Sequence, residues 1–111
     1  MDVIVISNTK VDSTGQSNDL TIIRNKHIDV LICVGVRTGV ATIQFHVNVI
    51  EPASDTIIET YDGVVLNASS AVDYITIPET SVSGGIIRIN WTGILDITKY
   101  FSNVVCRVIA K

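Results

Sequence analysis

The sequence predicts an all-β fold: a two-sheet antiparallel sandwich, jelly-roll or immunoglobulin-like, with about eight or nine strands. Valine, isoleucine and threonine supply 45 of the 111 residues, against four leucines, and β-branched side chains suit a pleated sheet better than a helix. Turn-forming residues recur at short intervals along the chain. Within Val40–Ile50, residues 41–49 alternate between apolar and polar, which is typical of a strand with one buried face.

The Val40–Ile50 strand is predicted to organise the core. Successive side chains of a strand point to opposite faces, so one face here is apolar and must be covered by a second layer. The apolar set is Ala41, Ile43, Phe45, Val47 and Val49, and the polar set is Thr42, Gln44, His46 and Asn48.

The N-terminal residues 1–19 are predicted to form a strand, Asp2–Ser7, and a polar loop or arm, Asn8–Asp19, ahead of a sandwich domain spanning 20–111. An apolar strand on a long polar tether needs a pairing partner. It either folds back onto an edge of its own sandwich or adds to a sheet edge of a neighbouring subunit. The candidate interaction residues are Val3, Ile4, Val5 and Ile6.

The next elements are a strand at Leu20–Arg24, a tight turn at Asn25-Lys26 and a strand at His27–Val36. The latter has apolar residues on both faces, so it is predicted to be covered on both sides. Arg37-Thr38-Gly39 reads as a hairpin turn, with glycine where a positive φ is needed. It is predicted to lead the chain antiparallel into the central strand.

The middle of the chain is predicted to form a small hairpin of Thr56–Thr60 and Val64–Asn67, closed by a turn at Tyr61-Asp62-Gly63. Pro52 ends the central strand before this hairpin, since proline has no N–H to give to a strand ladder. A further strand follows at Val72–Ile77.

The C-terminal third is predicted to contain a turn at 81–85, a strand at Ile86–Thr92 and a possible helical turn at 93–101. Trp91 shares a face with Ile87 and Ile89, so it is interpreted as a core residue rather than an exposed platform for a sugar. The last strand, Asn103–Ala110, is apolar on both faces, which indicates a central, doubly covered position.

The charge distribution argues against binding to nucleic acid or membranes. The formal net charge is −3, from 8 basic and 11 acidic residues, and neither sign forms the concentrated patch that phosphate binding requires. No apolar run is long enough to span a bilayer. The apolar N-terminus lacks the basic region and the length of a signal peptide. For Cys33 and Cys106, both in apolar strands, two buried thiols are favoured over a disulfide.

No catalytic or metal-binding set is recognisable, so the sequence predicts a protein that is not an enzyme and has no cofactor or metal. The two histidines, His27 and His46, stand alone and make no zinc pattern with the cysteines. The carboxylates lack the alternate spacing of a calcium loop, and are interpreted as turn formers. These carboxylates are Asp55, Glu59, Asp62 and Asp73.

From about residue 20 onwards, the order of features resembles a group of small all-β bacteriophage virion proteins. An apolar strand leads through a glycine turn to a long strand, followed by an Asp-Gly turn, a strand ending in tryptophan and a valine-rich last strand. The matching segments are Ile32-Cys33-Val34-Gly35, Ala41-Thr42-Ile43-Gln44-Phe45, Tyr61-Asp62-Gly63, Ile87-Arg88-Ile89-Asn90-Trp91 and Val104-Val105-Cys106-Arg107-Val108.

This resemblance implies a non-enzymatic virion structural protein, either a capsid decoration (cement) protein or a small head or tail component. It implies synthesis in the host cytoplasm, location in the virion, contact with the major capsid protein or other virion subunits, and a homo-oligomer, trimer or dimer. The alternative is a carbohydrate-binding or adhesion module of all-β type. An aromatic side chain exposed beside a groove would distinguish that alternative.

Overall fold

The computed structural model describes residues 2–21, 27–78 and 85–110, in which ten strands form two antiparallel five-stranded sheets. The strands are β1 Asp2–Val11, β2 Gly15–Gln16, β3 Leu20–Thr21, β4 Ile28–Cys33, β5 Arg37–Thr38, β6 Gln44–Glu51, β7 Thr56–Asp62, β8 Val72–Ile77, β9 Ile86–Thr92 and β10 Tyr100–Ala110.

Sheet A has the order β1-β10-β4-β8, with β5 also paired to β10, and sheet B has the order β2-β9-β6-β7, with β3 also paired to β9. The predicted two-sheet antiparallel sandwich is confirmed. The strand number slightly exceeds the prediction because the short strands β2 and β5 were not predicted, while the strand predicted at 64–67 does not form. Within the described residues there is no helix, and hence none that could cross a membrane.

The core lies between the inner faces of the two sheets, and β6 contributes its apolar set as predicted. Ala41, Ile43, Phe45, Val47 and Val49 are all completely buried. The facing residues of sheet A include Val104, Cys106 and Val108 of β10 and the alternate residues of β4. The alternation of apolar and polar residues therefore identified the buried face of the central strand correctly. The apolar residues are buried because sheet A covers that face of sheet B.

β10 occupies the predicted central position, between β1 and β4. Its inward residues are buried, while its outward residues, including Val105, stay partly exposed. Cys106 pairs with Ile32 and points inward, whereas Cys33 is opposite Val105 and points outward. The two thiols thus lie on opposite faces of sheet A, an arrangement that a disulfide cannot bridge without backbone movement. Burial raises the pKa of the Cys106 thiol to about 12.

The predicted hairpin between the His27–Val36 strand and the central strand is wrong. Gly39 does have a positive φ, 67°, but β4 belongs to sheet A and β6 to sheet B. The turn therefore carries the chain from one sheet to the other. Two local contacts favour this path: β5 pairs with the start of β10, and Arg37 Nε donates to the carbonyl oxygen of Ala41 at 2.7 Å.

The predicted hairpin closed at Tyr61-Asp62-Gly63 is also wrong. β7 runs through to Asp62 and pairs with β6, across the turn that begins at Pro52. Residues 64–67 leave this sheet edge, and Leu66 instead forms an isolated bridge with Ile43. Leu66 is buried, so the bridge to Ile43 accompanies the packing of an apolar side chain into the core.

No helical turn forms at 93–101. Asp96 and Lys99 form a tight turn through two backbone hydrogen bonds, and the Asp96 carboxylate accepts hydrogen bonds from the backbone N–H and the hydroxyl of Thr98. These hydrogen bonds lower the pKa of Asp96. Tyr100 already belongs to β10.

The polar stretch 8–19 is more ordered than a loop or arm. β1 extends to Val11, which is buried, and pairs with β10 of the same chain. Ser17 is also buried and binds Ile89 twice: its N–H donates to the Ile89 carbonyl, and its hydroxyl accepts from the Ile89 N–H. The chain thus passes from the edge of sheet A to the edge of sheet B. The predicted turn at 25–26 lies outside the described residues, as do residues 22–24 of the strand predicted at Leu20–Arg24 and residues 81–84 of the turn predicted at 81–85.

Candidate functional site

Sheet A is protected against pairing with another strand at its β1 edge, and less so at its β8 edge. β1 shows three register irregularities, between Ile4 and Ile6, Ile6 and Thr9, and Thr9 and Val11, and such irregularities disrupt a regular pairing edge. At the β8 edge, the Asp73 carboxylate accepts hydrogen bonds from the N–H of the next residue and from the N–H of residue 64.

The edges of sheet B are protected in other ways. β2 and β3 have only two residues each. β7 contains a bulge opposite Val49 and Ile50, and its Glu59 is paired with inward-facing Val49. Inward-pointing charges and bulges both discourage strand addition. The Tyr61 hydroxyl donates to Glu59, and this hydrogen bond raises the pKa of Tyr61 to about 12. The outer faces, the loops and the β8 edge therefore remain as surfaces available for binding.

The outer face of sheet B carries polar side chains that bond to one another. His46 Nδ1 lies 2.7 Å from Asp62 Oδ1, and His46 Nε2 lies 3.1 Å from Thr92 Oγ1. Asn48 donates to Asn90 at 2.7 Å. These bonds join β7, β6 and β9, so the polar set of the central strand is a cross-strand network rather than a set of isolated surface groups.

The Asp62–His46–Thr92 series has the connectivity of a catalytic triad, in which a base is oriented by an acid and faces a hydroxyl. Thr92, however, is exposed on an open sheet face, and the nearby backbone N–H of Ile94 already donates to Thr42 Oγ1. In the part of the chain that the structure describes, neither His46 nor Thr92 lines any of the three hollows found. The geometry supports a structural role for His46.

The four carboxylates singled out in the sequence have separate structural partners. Asp55 is paired with Arg88 at 3.1 Å, Glu59 accepts from Tyr61, Asp62 contacts His46 and Asp73 caps the β8 edge. Among the described residues, no three His, Cys, Asp or Glu side chains come close enough to hold a metal ion. Asp55 alone of the four lies in a turn, so the turn-former interpretation is wrong for the other three.

Arg88 also binds Asp19 through two hydrogen bonds, which lowers the pKa of that carboxyl. The side chain thereby links the polar stretch before β3 to the β6–β7 turn. The positive charge of Arg88 is therefore paired with Asp19 and Asp55 of the same chain.

The outer face of sheet A is apolar instead. Residues that are paired across neighbouring strands form rows on this face. One row crosses all four long strands, from Ile4 of β1 through Arg107 of β10 and Leu31 of β4 to Tyr74 of β8. Three are strongly exposed: Ile4 by 57%, Val72 by 67% and Tyr74 by 55%. We define the apolar face as Ile4, Leu31, Cys33, Val72, Tyr74, Val105 and Ile109.

A hollow of about 460 Å³ lies at one side of this face, between β4 and β8. The apolar face supplies four of its lining residues, Leu31, Cys33, Val72 and Tyr74, and Asp73 is the fifth. At the opposite side of the face, Ile4 projects from β1.

The charges on the apolar face are compensated. Arg107 is paired with Asp2, and this partner raises the pKa of the arginine. Asp29 is buried, with His27 Nε2 at 3.0 Å and the Thr76 hydroxyl at 3.4 Å from its Oδ1. The face therefore presents apolar surface with little net charge.

A second exposed apolar surface lies at the end of the sandwich where three loops meet. Thr42 and Ile94 are joined by two hydrogen bonds, and Leu66 and Ile43 by two more. We define the apolar loop end as Val36, Val40, Val65, Ile94 and Ile97, all exposed, with Ile97 at 82%.

The predicted interaction segment contributes one residue to these surfaces. Ile4 lies on the apolar face, whereas Val3 and Val5 are half-buried and Ile6 is part of the core. Contact of this segment with another subunit stays a prediction. The sequence missed the rest of the apolar face, although its signal was present: β4 and β10 are apolar on both sides, which was taken to mean that the chain covers both.

Trp91 packs against Phe45, with ring centroids 5.9 Å apart, and its Nε1 donates to the carbonyl of Ser13. It is half-buried at the core boundary. Trp91 also lines a hollow, of about 310 Å³, between β1 and the 12–18 stretch, but Tyr74 is the strongly exposed aromatic beside a hollow.

The chain was compared with known proteins. No family model matches it, and no curated protein matches it. A chain in a structure of infectious bursal disease virus, Gx strain, is similar in fold, with a TM-score of 0.63 at 10% identity. The match covers 97% of this chain but 31% of the viral chain, so this chain spans about a third of that chain's length. A likeness at this identity shows the fold alone.

Proposed function

We propose that the chain is a non-enzymatic virion structural protein, and specifically a bacteriophage capsid decoration protein that binds between major capsid subunits. The observation that carries the proposal is the apolar face. β4 and β10 have the two-sided apolar pattern of covered strands, yet the described chain leaves Leu31, Cys33, Val105 and Ile109 partly exposed on the outer side. A neighbouring subunit in an assembly would supply that cover.

The similarity in fold to a chain of a virus structure supports the same assignment. So do the sequence features shared with small phage virion proteins.

Two separate apolar surfaces let one small domain contact two neighbours. The apolar face lies on sheet A, and the apolar loop end lies beyond the strand ends. Each is modest in size, and exposed patches of a few hundred Å² give weak contacts when used singly. Simultaneous use converts the second contact into an intramolecular one and strengthens attachment by orders of magnitude. In this proposal the loop end contacts capsid subunits and the chain is an oligomer, a dimer or a trimer.

The test is co-purification with particles. The tagged chain is produced together with the other structural proteins of the virus that encodes it, and particles are isolated on a density gradient. We expect the wild-type chain in the particle fraction and Ile97→Glu in the soluble fraction, because a charge at the loop end opposes burial. Ile57→Glu is the matched control, at an isoleucine of β7 that is 54% exposed and outside both surfaces. A wild-type chain that never enters the particle fraction would refute the proposal.

A carbohydrate-binding module is the second candidate, and Tyr74 is the observation that favours it, being an exposed aromatic beside a hollow. The polar lining is sparse, however. Both oxygens of Asp73 already accept backbone hydrogen bonds, so few groups remain to bind sugar hydroxyls. A glycan array probed with wild type and Tyr74→Ala tests it: binding that requires Tyr74 would support this candidate.

A further inference from the structure

We infer that the apolar face is the contact surface for a second copy of the chain, and that Ile4 of each copy fills the hollow of the other. This names the self-contact of the proposed oligomer. The inference rests on the proposed function only for where the dimer would act, in a virion. The contact itself can form between isolated chains.

The first argument is the position of the projection and the hollow. Ile4 is on β1, at one edge of sheet A, and the hollow lies between β4 and β8, at the other edge. Both are at the same height along the strands, since Ile4 and Tyr74 belong to one register row.

The second argument is symmetry. Two copies facing each other across a two-fold axis parallel to the strands place β1 of one over β8 of the other, without changing the height of any row. Each Ile4 then lies over the other copy's Tyr74 and beside its hollow. Each copy therefore makes the same contact with the other, and no surface of this face is left to bind a third copy, as an isologous dimer requires. It also repeats the sheet-on-sheet packing that the chain already uses internally.

The third argument is charge. A chain with net charge −3 would resist self-association through an acidic surface. On the apolar face, however, Asp2 is paired with Arg107, and Asp29 is buried beside His27. The register irregularities of β1 disfavour a dimer that joins two β1 strands edge to edge, which favours contact through the outer face of sheet A.

The area of the face sets the expected strength. Four strands about 4.8 Å apart and six residues with a rise of about 3.3 Å cover roughly 400 Å² in each copy. The total of about 800 Å² is below the ~1,200 Å² of ordinary stable interfaces. The dimer is therefore weak and concentration-dependent.

Sedimentation velocity of the purified chain, from micromolar to near-millimolar concentration, measures this association. We expect a reversible monomer–dimer equilibrium for the wild type. Ile4→Glu should weaken it at least about tenfold, because it buries an unpaired charge. Ile57→Glu, the matched control, should leave it unchanged. A chain that stays monomeric throughout, or a dimer that Ile4→Glu does not weaken, would overturn the inference.

Particle binding is measured separately through Ile97→Glu, so a monomeric chain that still enters particles would refute the dimer and leave the proposed function standing.

Discussion

Replacing Phe45 by alanine is expected to remove about 4 kcal/mol from the free energy of unfolding. The side chain is completely buried on the inner face of β6, and its ring packs against Trp91. Phenylalanine-to-alanine changes in cores cost about 3–5 kcal/mol through lost transfer energy and a residual cavity. The aromatic pair adds about 0.5–1.5 kcal/mol to such contacts, which favours the upper half of that range.

Domains of this size have a total stability of about 5–15 kcal/mol, so the variant should still fold but melt roughly 15 °C lower. The assay is urea unfolding followed by far-UV circular dichroism and by the fluorescence of the single tryptophan. Equal slopes for wild type and variant would show that stability alone has changed.

His46→Ala is the control, since it lies on the same strand but on the opposite face. The sequence alone predicts a loss within about half a kcal/mol, as for an ordinary surface residue. The structure raises this to about 1 kcal/mol, because His46 contacts both Asp62 and Thr92. Comparable losses for the two variants would mean that the two faces of β6 have been assigned wrongly.

Other measurements test separate parts of the structure. Thiol titration of the denatured chain without reductant should count two thiols, and alkylation at pH 8 should spare Cys106 but reach Cys33 in the folded chain, because burial raises the pKa of the Cys106 thiol to about 12. A count near zero would show a disulfide. In an ultraviolet titration, Tyr61→Phe should remove a component near pH 12. Because the pKa of Tyr61 is raised in the folded state from 10.0, its contribution to stability is complete below pH 10 and lost towards pH 12; an unchanged titration curve would contradict this. Gly93→Ala should destabilise the chain by roughly 1–3 kcal/mol, since a Cβ there would overlap the backbone oxygen of Thr42, and an unchanged melting temperature would contradict that packing. Calcium should not shift the melting temperature, and a rise of several degrees would show a site that binds the folded state.

Local patterns in the sequence were enough to determine the fold class and the buried faces of individual strands. The alternation at residues 41–49 identified the inner face of β6, and Ile87 and Ile89 did the same for β9. Such assignments succeed because the side-chain period of a strand is a local property, visible within a few residues.

Strand pairing was decided only by the tertiary structure. The chain after β4 was predicted to turn back beside it, yet β6 lies in the other sheet and pairs with β7. The bond between Ser17 and Ile89 and the bridge between Leu66 and Ile43 are likewise made by backbone groups far apart in sequence. Backbone hydrogen bonds are available to almost every residue, so they leave no side-chain pattern to read.

The candidate site shows the same division. The sequence of β4 and β10 determined that both faces of these strands are apolar. The tertiary structure decided that the described chain covers one of those faces and leaves Leu31, Val105 and Ile109 partly exposed on the other. Ile4 became an exposed residue and Ile6 a buried one through a bulge between them, because an extra residue in a strand shifts the side chains that follow it to the other face.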